Sequence, residues 1–111
     1  VSEDVTLKED KTTLDLYLAF SKIMAQKQAA FNQEHTTIAA DDYRIEDMMI
    51  FVEDQLEVGK SKSMQQLFQE VEIKEQMITI FLAILELVKR HVVRVQHEAN
   101  FSDVTLRREA T

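Results

Sequence analysis

The sequence has 111 residues, a formal net charge of −7, no Cys, no Pro and one Gly. This length fits one small domain with an appendage, and the lack of Cys excludes disulfides, thiolate catalysis and Cys-ligated zinc. A chain this acidic has no strong electrostatic attraction to a polyphosphate, which disfavours autonomous nucleic-acid binding.

The charge is unevenly distributed along the chain. Residues 38–60 carry seven carboxylates and two cations, whereas residues 74–111 carry six cations and five carboxylates. Because the chain does not begin with Met, we expect it to be part of a longer protein. Its longest apolar stretch, residues 77–88, is interrupted by Thr79 and Glu86 and is shorter than the roughly 18–20 residues that span a bilayer. That stretch is typical of a buried helix, and we expect no membrane association.

The first predicted element is a long helix. Residues 1–10 are polar without a sustained period, and we expect them to be extended or disordered. Thr12 and Asp15 resemble a capping box, which predicts a helix from about residue 12 to residue 31. Its apolar residues form two faces and therefore require two neighbours, or one neighbour and a partner. The first face comprises Leu16, Tyr17, Phe20, Ile23, Met24 and Phe31, and the second comprises Leu14, Leu18 and Ala25.

The middle of the chain predicts a loop followed by an acidic helix. Residues 32–40 have no helical period, and a short strand is expected within residues 37–43. Asp41 or Asp42 is the expected N-cap of a helix over residues 45–58, and Gly59 is the expected stop.

Two further helices are predicted next. Ser63 and Gln66 form a capping box before a two-turn helix over residues 64–71. A longer helix follows over residues 74–90, and its apolar arc covers roughly 220° of the helix circumference. Because a surface helix has a narrower stripe, this element is expected to be the central helix of the domain. The edges of its arc, which we expect to be exposed, are Ile78, Ile80, Leu82 and Leu87.

The C-terminal pattern changes to the alternation of strands. Residues 93–98 and 101–107 alternate around a turn candidate at residues 99–100, which predicts a β-hairpin. The fold class is therefore mainly α with a small β-hairpin, a C-terminal winged-helix domain preceded by a helical segment. The alternative is a helical hairpin with a loose β tail. The winged helix is preferred because an isolated hairpin is marginal unless it packs on a helix.

The residues do not indicate catalysis. His35, His91 and His97 lie outside any metal-ligand spacing, and the acidic doublets lack the glycine and the spacing of a calcium loop. The sequence has no Gly-rich phosphate loop and no nucleophile elbow. We therefore predict that the chain is not an enzyme and uses no metal or other cofactor.

Protein binding is favoured over nucleic-acid binding. The polar face predicted for the central helix holds Gln76, Thr79, Ala83 and Glu86, of which Glu86 repels phosphate. The basic residues near the hairpin are expected to pair with an acidic protein or with the chain's own acidic helix. Surplus apolar surface at the arc edges and at Phe101 favours an interface, either with a partner or with a second copy.

Five segments resemble the bacterial kleisins of the segregation and condensation protein A family. Residues 81–89 (FLAILELVK) are similar to the helix near the C-terminus of that family, and residues 100–104 (NFSDV) to its wing. Residues 15–20 (DLYLAF), 42–48 (DYRIEDM) and 64–68 (MQQLF) are weaker matches in the correct order. Ser102 departs from the glycine expected in the wing, which puts the conformation of that turn in question.

The resemblance implies a division into a middle-region helix and linker, residues 1–36, and a winged-helix domain, residues 37–111. It also implies a cytoplasmic, nucleoid-associated, non-catalytic subunit of the SMC complex, with DNA contacted only indirectly. The N-terminal kleisin region is absent from this sequence. A winged-helix DNA-binding transcriptional regulator remains the alternative.

The same resemblance implies two sets of site residues, one for each partner. The SMC ATPase head is expected at Ile78, Ile80, Leu82, Leu87, Phe101 and Val104. The dimer of segregation and condensation protein B is expected at Leu14, Leu16, Tyr17, Leu18, Phe20 and Met24.

Overall fold

Seven elements form the fold of this chain. The computed structural model describes residues 2–33, 43–97 and 104–109, with side chains for residues 12–29, Phe31, 43–96 and 104–109. The helices and strands, in chain order, are α1 Ser2–Gln33, α2 Ile45–Gln55, β1 Ser61–Ser63, α3 Met64–Phe68, α4 Lys74–Lys89, β2 Val93–His97 and β3 Val104–Arg108. The order α2-β1-α3-α4-β2-β3 is that of a winged helix, which confirms the predicted fold class.

The first helix begins earlier than the sequence pattern predicts. α1 starts at Ser2, so the expectation of an extended segment over residues 1–10 is wrong, and Thr12 lies inside the helix. Residues 1–33 contain neither Pro nor Gly. Propensity therefore continues the helix through a segment without an apolar period.

The acidic helix starts and ends differently from the prediction. Arg44 is the N-cap residue of α2 and makes no side-chain cap hydrogen bond, so the assignment of that role to Asp41 or Asp42 is wrong. The helix ends at Gln55 because Leu56 takes an extended conformation and turns into the core. Gly59 adopts a φ of 80° in the following turn, three residues beyond Leu56, and not at the helix stop.

The capping box of α3 is confirmed atom by atom. The Ser63 hydroxyl accepts from the Gln66 backbone N–H at 3.1 Å, and the Gln66 side-chain oxygen accepts from the Ser63 N–H at 3.0 Å. The helix is shorter than predicted, because it ends at Phe68. Lys27 of α1 donates from Nζ to the carbonyls of Gln69 at 3.2 Å and Val71 at 2.8 Å just beyond α3. These bonds satisfy carbonyls at a helix C-terminus, where the dipole favours a cation.

The sheet has three antiparallel strands in the order β1-β3-β2. In the register, Leu106 of β3 lies opposite Lys62 of β1 and Val95 of β2. The third strand of the described sheet is Ser61–Ser63, whereas a strand was expected within residues 37–43. Of that segment, residues 37–42 lie outside the described part of the chain, and Tyr43 is not in a strand.

The core is one continuous cluster to which both α1 and the winged helix contribute. The Phe20 ring of α1 stacks on Phe81 of α4 at a centroid distance of 4.3 Å and lies 5.6 Å from Phe68 of α3. Leu16 and Ile23 are buried beside it, one helical turn away on either side. Burying side chains of this size stabilises the fold by roughly 1.5–3 kcal/mol each, so α1 is part of the folded unit.

The central position predicted for α4 is confirmed, but only one of the two edges of its apolar arc is exposed as expected. Ile80 and Leu87 are fully buried, and α4 packs closely with α2. Ala83, predicted to lie on the polar face, is buried too. Ile78 and Leu82 are exposed as expected.

Replacement of Phe20 by Ala should lower the free energy of unfolding by about 3–5 kcal/mol, because it empties the centre of the aromatic cluster. Urea denaturation followed by circular dichroism measures this change. The matched control is Leu18→Ala, which removes an exposed side chain from the same helix and should change stability by less than about 0.5 kcal/mol. Equal effects of the two substitutions would contradict the docking of α1.

Candidate interaction surfaces

The first helix presents two different faces. Leu16, Ala19, Phe20 and Ile23 follow helical spacing and are buried. Three apolar side chains point away from the core: Leu14 is 54% exposed, and Tyr17 and Leu18 are each 56% exposed. Of the residues expected to bind a B subunit, Leu14, Tyr17 and Leu18 are therefore accessible. Leu16 and Phe20 are core residues, and Met24 packs partly against the core.

The residues expected to bind the SMC head are divided in the same way. Ile78 and Leu82 are 40% and 42% exposed, whereas Ile80, Leu87 and Val104 are buried. Phe101 lies outside the described residues. Val104 belongs to the core cluster on the central strand of the sheet.

The exposed apolar residues of the two helices flank one interhelical contact, and we call this region the α1–α4 seam. The exposed ring of Tyr17 contacts the buried ring of Phe81 edge-on at a centroid distance of 6.5 Å. Ile78 lies one helical turn before both Phe81 and Leu82 and is a surface neighbour of each. Tyr17, Ile78 and Leu82 thus expose apolar surface on both sides of the contact between α1 and α4. Exposed apolar surface of this kind marks sites of protein association.

The middle of the outer face of α4 is apolar, because Ile78 and Leu82 occupy the outward position there. Gln76 and Thr79 are half-buried, and the Thr79 hydroxyl donates to the Glu75 carbonyl at 2.9 Å. Base readout needs hydrogen-bond donors and acceptors, which the side chains of Ile78 and Leu82 lack.

Basic residues near the hairpin are engaged within the chain. Arg108 of β3 donates to the Glu53 carbonyl of α2 at 3.0 Å and lies 3.5 Å from its carboxylate. Arg94 Nε lies 2.7 Å from the Glu109 carboxylate. The expectation that basic residues pair with the chain's own acidic helix is confirmed for Arg108. No local pattern in the sequence identifies Glu53 as the partner, because the two residues are 55 positions apart.

The turn from α4 into β2 holds a side chain in an unusual backbone conformation. His91 has a φ of 63°. Its N–H donates to the Val88 carbonyl at 3.1 Å, and the next N–H, of Val92, donates to Leu87 at 3.0 Å. These two bonds define a Schellman motif, in which glycine usually occupies the position that His91 takes here. No sequence signal marks this turn, because a glycine is absent.

One exposed ion pair shifts the pKa values of both of its members. Lys60 Nζ lies 2.9 Å from the Glu57 carboxylate. The hydrogen bond and the charge of Lys60 lower the pKa of Glu57, and the same contacts raise the pKa of Lys60. The lowered pKa contributes stability above the unfolded pKa of Glu57, and this is lost as the pH falls through the folded value. The raised pKa of Lys60 contributes stability at pH values below the unfolded pKa of Lys60. This stability is lost as the pH rises through the folded pKa.

Metal and membrane sites are not found in the described ranges 2–33, 43–97 and 104–109. No group of three or more His, Asp or Glu side chains there is arranged to hold a metal ion. Within the same ranges, none of the helices combines the length and apolarity that a membrane span needs.

The family model and the most similar curated proteins that match this chain name the same family. The sequence model of the family described as "Segregation and condensation protein ScpA" matches residues 1–107. Segregation and condensation protein A of Streptococcus thermophilus strain LMD-9 is 50% identical over 111 residues, which are 100% of this chain and 47% of that protein. The Streptococcus suis strain 05ZYH33 protein of the same name is 51% identical over 106 residues, 96% of this chain and 44% of that protein.

The chain therefore spans about half the length of the curated relatives it matches. No solved structure matches it significantly.

Replacement of Lys60 by Gln should raise the pKa of Glu57 towards its ordinary value, because both the hydrogen bond and the positive charge are weakened. A carboxyl-detected NMR titration measures this shift. Lys62→Gln is the control, since Lys62 contributes least to the lowering. An unchanged pKa of Glu57 in the Lys60 variant would show that the pair does not form in solution.

Proposed function

The chain belongs to the segregation and condensation protein ScpA family, and we propose that it acts as a non-catalytic subunit of the bacterial SMC condensin-like complex in chromosome condensation and segregation. In this proposal the winged helix, residues 37–111, binds the SMC ATPase head. The middle segment, residues 1–36, binds the B subunit dimer. The names of the relatives support a role in segregation and condensation. The protein would be cytoplasmic and nucleoid-associated and would contact DNA only through the complex.

The apolar outer face of α4 is the observation that carries this proposal. In DNA-reading relatives of the helix-turn-helix type, the corresponding helix contacts base edges through polar side chains. Here Ile78 and Leu82 occupy the outward position, and the chain has a net charge of −7. Contact of these side chains with DNA would leave base edges without hydrogen-bond partners. Contact with a protein surface would instead remove apolar area from water.

The proposed head site is the α1–α4 seam, with Ile78 and Leu82 as its anchors. Ile80, Leu87 and Val104 support the surface from below and would not touch the partner. Phe101 stays a candidate on the strength of the sequence alone.

The proposed B-subunit site is the outward face of α1. Leu14 and Leu18 are accessible while Leu16 and Phe20 remain packed in the core. A partner can therefore bind α1 without removing it from the winged helix. Both partners would then be held by one rigid unit, which is the mechanical requirement for an adaptor that transmits the position of an ATPase head.

Leu82→Arg should weaken binding to an SMC head domain at least tenfold, because it places a charge in the centre of an apolar contact. Titration calorimetry or co-purification with the isolated head measures the loss. The matched control is Ile50→Arg, which makes the same change at an exposed position of α2 and should leave head binding unchanged. Circular dichroism checks that both variants are folded.

Two results would contradict the head site. Undiminished head binding by a folded Leu82→Arg variant would remove Leu82 from the interface. Tight binding of the unmodified chain to duplex DNA, with a steep decrease as salt is added, would instead favour the transcriptional regulator.

Leu18→Arg should abolish capture by the B subunit dimer while head binding is retained, because Leu18 points away from the core. The Leu82→Arg variant serves as the reciprocal control, since it should lose the head and keep the B subunit. Pull-downs of each variant with each partner measure the four combinations. Loss of both partners from both variants would show that the two surfaces are not separate.

A further inference from the structure

A groove lies at the C-terminal end of α4, beyond the α1–α4 seam. It has a volume of about 580 Å³ and is bordered by α1, the last turn of α4 and β2. Cavities of a few hundred Å³ with apolar walls and a few polar groups are typical of ligand and peptide sites. Neither of the two surfaces proposed above includes this groove.

The floor of the groove is apolar. Leu85, Val88 and Val95 line it and are only partly buried, although they pack against the core. Their remaining surface faces the groove and is not covered by the described residues. A side chain from another molecule placed on this floor would remove that surface from water.

The rim of the groove carries two cations, Lys89 and Arg94, and one carboxylate, Glu109. His91 borders the same groove. Lys89 is exposed, and the described residues give it no ion-pair partner. Arg94 is already paired through Nε with the carboxylate of Glu109, yet its side chain is 69% exposed. A guanidinium carries further N–H donors, so Arg94 can donate hydrogen bonds to a second carboxylate from outside the chain.

His91 adds a separate indication that the rim has a role. Its φ of 63° is the conformation at which glycine costs least, and this chain places a glycine, Gly59, at its other positive-φ turn among the described residues. The fold therefore places a side chain at a position where glycine would leave the backbone less strained. Such positions concentrate at binding sites.

We propose that this groove is a docking site for an acidic, apolar peptide segment of a partner protein. An apolar side chain of the segment rests on Leu85, Val88 and Val95, and a neighbouring carboxylate faces Lys89, His91 and Arg94. The charge of the rim selects an acidic partner, although the chain as a whole is acidic. The proposal does not rest on the identity of the partners that bind the α1–α4 seam or the outer face of α1.

The groove fits a peptide better than a nucleic acid. Its floor is made of Leu and Val, whereas sites for single-stranded nucleic acid combine basic residues with aromatic rings on which bases stack. The described residues that line the groove include no Phe, Tyr or Trp. Phosphate contacts alone would leave the apolar floor exposed.

The test uses the 111-residue chain labelled with ¹⁵N and a library of twelve-residue peptides. In one set Leu, Ile and Phe alternate with Asp and Glu, and in the second Lys and Arg replace the acids. The acidic set should shift the amide signals of residues 85–95, and the basic set should not. Lys89→Gln and Arg94→Gln should each weaken the best acidic peptide at least fivefold. Lys74→Gln, at the other end of α4, is the matched control and should have no effect.

His91→Gly separates a binding role from a structural one. Glycine relieves the backbone, so this variant should unfold at a higher urea concentration. It should nevertheless bind the acidic peptide more weakly, because the imidazole is gone.

Four results would overturn the proposal. The first is that no acidic peptide shifts the signals of residues 85–95, and the second is that the basic set shifts them equally. The third is that the Lys89 and Arg94 variants bind the acidic peptide with unchanged affinity. The fourth is that duplex DNA shifts these signals and no peptide does. Concentration-dependent shifts of the same residues in the chain alone would assign the groove to a second copy and would likewise overturn it.

Discussion

The stacking of Phe20 on Phe81 is the contact on which the rest of the structure depends. It joins a helix from the first third of the chain to the central helix of the winged fold, at a centroid distance of 4.3 Å. The position of α1 decides which of its residues face outward, which places Tyr17 beside Phe81 and creates the seam. It also forms one wall of the groove at the end of α4. All three surfaces discussed above are therefore consequences of one aromatic contact.

The breadth of the apolar arc on α4 explains why the winged helix offers an apolar surface in place of a polar one. Ile80 and Leu87 are buried, and Phe81 is covered by Phe20 of α1. Ile78 and Leu82 stay exposed in the described part of the chain. A helix with polar residues at these two positions would be a stable surface helix, so the fold does not require apolar residues there. Association with another protein, as proposed above, would account for them.

Local signals in the sequence predicted elements well, and long-range packing accounts for what they missed. The capping box at Ser63, the extent of α4 and the pairing of the two hairpin strands depend on residues close in sequence, and all agree with the structure. β1 was missed because Ser61–Ser63 has no apolar alternation and becomes a strand only by pairing with β3. The burial of Ile80 and Leu87 depends on where α2 docks. For the same reason the sequence suggested the types of residue at the candidate sites but not which of them are exposed.

The bonds from Lys27 to the carbonyls beyond α3 have a consequence for the cooperativity of folding. They join residues separated by 42 and 44 positions, and the β1–β3 pairs Ser63–Thr105 and Ser61–Arg107 join residues that are about equally distant in sequence. Because the entropy of closing a loop depends on its length, docking α1 and completing the sheet have similar entropic costs. A chain from which α1 has detached would expose Phe20 and Phe81 together, as an apolar surface that the docked helix conceals.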